Sequence, residues 1–129
     1  MNEEEKYAKI SEYLADETKL YQDWYGDFNQ AETESKQYTR KVSLIPDPEK
    51  IKLFFEQWFK EQEQLFKDKI CDDWRYCERR QEFKDNQSHF IAMLADILTL
   101  ILVVIPVNSI ATATILYTEK RLDRFCGCK

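Results

Sequence analysis

Residues 97–117 run for 21 positions without a charge, in a chain of which one third is charged. A helix of that length reaches roughly 31 Å at about 1.5 Å per residue, close to the hydrocarbon thickness of a bilayer. Residues 90–95 extend the apolar stretch backward, broken only by Asp96, and Glu119, Lys120 and Arg121 close it. The expectation is a transmembrane helix over residues 89–118. Pro106 removes the backbone bond to the Leu102 carbonyl and so predicts a kink near the middle of the span. A re-entrant hairpin turning at residues 106–109, or a helix buried in a soluble assembly, are the alternative readings of the same run.

That segment divides the composition. Residues 1–88 hold 21 acidic and 15 basic side chains, whereas residues 119–129 form a short basic tail containing Cys126-Gly127-Cys128. An acidic surface repels phosphate backbones, and no basic cluster interleaved with aromatics offsets it, so nucleic acid is not an expected partner. No secretory leader is legible at the N-terminus, where Glu3, Glu4 and Glu5 stand in place of a basic and then apolar stretch. Lys and Arg are balanced on the two flanks of the run, so charge does not orient it. Translocating the short tail is the easier step, which places residues 1–88 on the side of synthesis or import. An integral membrane protein of an organelle, with the mitochondrial inner membrane as one candidate, follows from this layout.

With two glycines, three prolines and many Glu, Lys, Gln and Leu residues, the remainder reads as all-α. The pattern predicts an amphipathic helical hairpin over about 5–44 and 48–88. In the first arm a heptad places Tyr7, Leu14, Tyr21 and Phe28 at one core position and Ile10, Glu17, Trp24 and Ala31 at the other. Such bulk does not suit a two-stranded coiled coil, and Gly26-Asp27 is a candidate interruption. Ile45-Pro46-Asp47-Pro48 is the linker, with Asp47 as helix cap and Pro48 in the first turn. The second arm carries a stripe of Ile51, Phe54, Phe55, Trp58, Phe59, Leu65, Phe66, Ile70, Trp74 and Cys77 at spacings of three and four. Asn86-Gln87-Ser88 marks a break before the apolar run.

No phosphate loop, nucleophile elbow or metal-spaced histidine pair occurs, and His89 is the single histidine. The reading is therefore non-catalytic, with no cofactor and no metal. Cys71 and Cys77 are about 9 Å apart along a helix and on different faces, so they do not bridge each other. A membrane span would separate them from Cys126 and Cys128, which disfavours a four-thiolate site; disulfides to a partner or acylation are the uses left for the terminal pair. Trp24, Phe28, Trp58, Phe59, Phe66 and Trp74 are candidates for core packing or for docking on another subunit. Ser109 and Ala113 form a small-residue pair suited to helix contact. Asp96, Asn108 and Thr112 are the polar groups of the apolar run, and Asp96 with His89 on the same face makes a conceivable proton relay. The functional expectation is a single-span accessory subunit of a larger membrane complex, for example an energy-converting assembly, in contact with other subunits and the lipid bilayer. The alternative is a homo-oligomer that forms a pore or perturbs the bilayer.

Overall fold

The computed structural model describes residues 2–36, 47–102 and 108–128, and of residues 27–36 the backbone alone. Every element assigned among them is helical. Helix α1, Glu3–Ala15, starts from a reciprocal cap in which Asn2 accepts from the Glu5 amide while the Glu5 side chain accepts from the Asn2 amide. The break before α2, Glu17–Lys36, falls at Asp16 and not at Gly26, through which the helix continues. Asp16 leaves the helical region and its carboxylate accepts from the Lys19 amide at 3.1 Å, so this residue caps the following helix.

Asp47 and Pro48 open α3, Pro48–Glu61, as their chemistry requires, with the Asp47 side chain accepting from the Lys50 amide. The second arm does not stay one helix to Phe83. A short α4, Glu63–Phe66, passes into a π-helical stretch, Lys67–Asp73, and the chain then turns through Arg75 at φ 61 into α5, Tyr76–Glu82. The wider turn and the left-handed residue change which side chains face inward, a departure that a uniform 3.6-residue period does not anticipate. Asn86 caps α6, Gln87–Ile101, so the break at residues 86–88 ends the arm.

The apolar run is the main correction to the sequence reading. It divides between the end of α6 and a separate α7, Ser109–Thr118, followed by α8, Arg121–Phe125. Phe90 at the start of α6 lies 5.9 Å from Tyr117 at the end of α7, ring to ring. The two helices therefore lie antiparallel, with both flanks of the run at one end, which is the geometry of the hairpin alternative. Among the described residues no helix is long and apolar enough to cross a membrane. Pro106, on which the expected kink rests, lies outside the described residues.

A protein interior covers these helices. Residues 111–116 of α7 are all buried, because α1, α2 and α6 pack around the helix and α8 joins its end. A helix enclosed on every side has no face that rewards a charge, which explains why none occurs from Ser109 to Thr118. The Thr112 and Thr114 hydroxyls, fully buried, donate to the carbonyls of Asn108 and Ile110 at 2.8 Å. α1 runs beside α6, with Tyr7 near His89 and Lys6 near Asp96. α2 follows α7 from the Asp16 turn to Tyr21, whose hydroxyl donates to Glu119. The boundaries drawn in sequence at residues 88 and 118 are thus crossed by packed contacts.

Candidate functional site

The aromatic stripe, a candidate for core packing or for docking, lies inside the chain's own core. Trp24 packs edge-on against Phe55 and Trp58, at ring distances of 5.0 and 5.8 Å, and Phe66 closes the cluster onto Trp58 and Phe59. Trp74 lies against Phe90. Trp24, Trp58, Phe59, Phe66 and Trp74 are buried, and Ala113 with them, while Ser109 is half-buried and Phe54 of the stripe is exposed. The side chain of Phe28 is outside the described residues. The physical reason is helix number: Trp24 and Trp58 belong to α2 and α3, which pack on each other and satisfy both stripes without a partner.

The polar candidates do not come together as a relay. Asp96 is 62% exposed and pairs with Lys6 at 2.5 Å, whereas the His89 ring shares a hydrogen bond with the Tyr7 hydroxyl at 2.8 Å. An exposed pair of this kind contributes little to stability. Asn108 caps α7 through the Ala111 amide and donates to the Tyr13 hydroxyl, which in turn donates to Asp23. Thr112 is spent on the Asn108 carbonyl.

The cysteines are the second correction. Cys71 is bonded to Cys126 and Cys77 to Cys128, which places both pairs on one side of the domain. Separation by a membrane had argued against any such meeting. The chain bridges 55 and 51 residues of sequence to tie its tail to the π-helical stretch and α5. Polar bonds reinforce the tie: the Tyr76 hydroxyl donates to Asp123 at 2.8 Å and the Lys67 ammonium to the Phe125 carbonyl at 3.0 Å. Phe125 also stacks edge-on against Phe59 at 5.1 Å. A one-dimensional reading had no means of finding these pairings, since the spacing within each Cys pair does not reveal its distant partner.

Burial pushes the Tyr21 and Tyr76 phenols well above their ordinary value, and the carboxylates that accept from them, Glu119 and Asp123, push in the same direction. In the unfolded chain these phenols ionise near pH 10. Their contribution is therefore complete below about pH 10 and is lost as pH rises toward the higher folded values. Denaturant midpoints should fall above pH 10, and the fall should be shallower in Tyr21→Phe and Tyr76→Phe than in the wild-type chain.

Two of the depressions among the described residues combine apolar or aromatic walls with charged groups. One is an apolar groove of about 230 Å³ formed by Trp74, Ile97, Leu100 and Ile101, with the ion pair of Lys69 and Asp73 at 3.5 Å on its rim. Leu100 is 75% exposed there. The other is a cleft of about 180 Å³ between α5, the start of α6 and the joint between α7 and α8. Among the described residues no three His, Cys, Asp or Glu side chains are grouped to hold a metal ion. No protein family, curated protein or solved structure matches the chain.

Proposed function

We propose that the chain is a non-catalytic accessory subunit that docks on a larger membrane-associated assembly through the apolar end of the α6–α7 hairpin. The observation that carries the reading is Leu100, a large apolar side chain left in water beside the groove of Trp74, Ile97 and Ile101. Leu100 and the half-buried Ile101 stand at the C-terminal end of α6. An apolar end of this kind gains free energy when another surface covers it.

Charge favours a protein over lipid as that surface. Asp23 is joined through Tyr13 to Asn108 at the start of α7, and Glu12 and Asp16 lie on the same α1–α2 turn. Glu12 and Asp23 each pair with Lys19 at 3.6 Å, and such exposed ion pairs resist immersion in hydrocarbon but can remain at the polar rim of a protein interface. The two disulfides fit an oxidising compartment.

The test is Leu100→Glu in the full chain, followed by sizing of the native protein in mild detergent. The substitution should leave folding within about 0.5 kcal/mol of wild type, since Leu100 is exposed. It should shift the protein from a complex of several different chains to its own mass. Wild-type protein recovered as a monomer or as a ring of identical chains overturns the reading. Flotation of the purified wild-type chain with phosphatidylcholine vesicles, abolished by Leu100→Glu, would assign the hairpin end to lipid instead.

A further inference from the structure

We propose that the cleft between α5 and the α7–α8 joint is a binding site for a small aromatic carboxylate. The chain as a whole carries a net charge of −5, yet three cations, Arg80, Lys84 and Lys120, line this one depression. One carboxylate, Asp123, opposes them, and it already accepts from the Tyr76 hydroxyl at 2.8 Å. Arg80 reaches Asp123 only at 3.5 Å through Nε, a buried donor that makes no hydrogen bond. Among the described residues neither Lys84 nor Lys120 is in an ion pair. The ammonium groups of Lys84 and Lys120, both exposed, are therefore free to meet an anion entering the cleft.

The walls between these charges are aromatic. Phe90 stands between Tyr76 at 5.7 Å and Tyr117 at 5.9 Å, and Phe83 lines the same cleft. Tyr76 and Phe90 are buried behind the half-buried Phe83 and Tyr117, and it is these two that a flat ring can meet while its carboxylate meets the lysines, an arrangement that inorganic phosphate cannot use. Size narrows the class further. A cleft of about 180 Å³ is below the roughly 300 Å³ at which drug-sized sites begin, so it admits a single ring with an acid group and excludes a nucleotide.

Backbone conformation points to the same residues. Lys120 sits at φ 51, a left-handed conformation that costs free energy for a residue with a side chain, and its amide is held by the Tyr117 carbonyl at 3.1 Å. Glu119 beside it is fixed by Tyr21 and by Arg121. The cleft's two sides, α5 and the tail, are joined by the disulfide between Cys77 and Cys128, which sets the site before any ligand arrives.

The experiment is titration of the oxidised full chain with benzoate, followed by amide chemical shifts. Saturable binding is expected, with shifts confined to α5, to Phe83 and Lys84 that follow it, and to Phe90, Tyr117, Lys120 and Asp123. Cyclohexanecarboxylate and inorganic phosphate should bind at least about tenfold more weakly. Lys84→Gln combined with Lys120→Gln should weaken benzoate binding by at least about tenfold with an unchanged circular dichroism spectrum. Lys120→Gly with Lys84→Gln serves as a second variant that keeps the left-handed turn unstrained, and it should lose binding equally. Absence of saturable binding, undiminished binding by the variants, or equal binding of phosphate would each overturn the assignment. None of these results depends on the docking role of Leu100.

Discussion

In a chain already carrying Cys77→Ser/Cys128→Ser, removing the bond between Cys71 and Cys126 by the double substitution Cys71→Ser/Cys126→Ser is expected to lower the free energy of unfolding by about 4 kcal/mol. The figure follows from the 55-residue separation that this bond closes, through the entropy it removes from the unfolded chain. Against the 5–15 kcal/mol typical of a domain, such a loss is a large share of the total. The thermal midpoint should drop by roughly 15 °C for a chain of this length. Either pair removed singly from the wild-type chain should cost less, because the remaining bond still closes nearly the same loop and only a short extra circuit is lost. Melting the wild-type and variant chains with and without a dithiol reductant checks both statements. A midpoint that stays within about 2 °C after reduction would show that packing of Phe125 and Leu122 holds the tail unaided.

Trp24→Ala should cost about 3–5 kcal/mol, the range for removing a large aromatic side chain from a core that collapses only partly. Trp24 is fully buried and touches Phe55 and Trp58, so the substitution opens a hole at the point where α2 meets α3. Urea denaturation of the purified variant measures the loss. Leu100→Glu is the matched control: a larger change in polarity at an exposed site with a far smaller effect on folding. If the two variants had equal midpoints, the division between core and docking surface drawn from burial would be wrong.

Local signals were legible in the sequence wherever the cause lies within a few residues. Asp47 and Pro48 announce the start of α3, because a cap satisfies amides three positions away, whereas residues 86–88 read only as a break, at which the structure shows Asn86 capping α6. The helical character of the chain likewise follows from residue type and spacing. Asp16 shows the limit of that approach. Its capping chemistry is as local as that of Asp47, but a continuous heptad through Tyr7, Leu14 and Tyr21 concealed it, since the same apolar residues face one core from two successive helices.

The candidate sites were legible only as residue types. Trp24, Trp58 and Phe66 were recognisable as residues that must leave water, and they do, but the neighbour that receives them is another part of the same chain. Arg80, Lys84 and Lys120 are scattered over 40 positions and give no pattern in one dimension. By itself the sequence determined an all-helical chain, the cap at Asp47, and an uncharged segment that had to be shielded from water. Tertiary structure decided that α1 and α2 shield α7, that the segment turns back on itself, and that four cysteines meet. The reason is that hydropathy measures the free energy of leaving water and is indifferent to the medium entered. A lipid tail and the packed flank of α2 satisfy residues 109–118 equally, and only the assembled helices select between them.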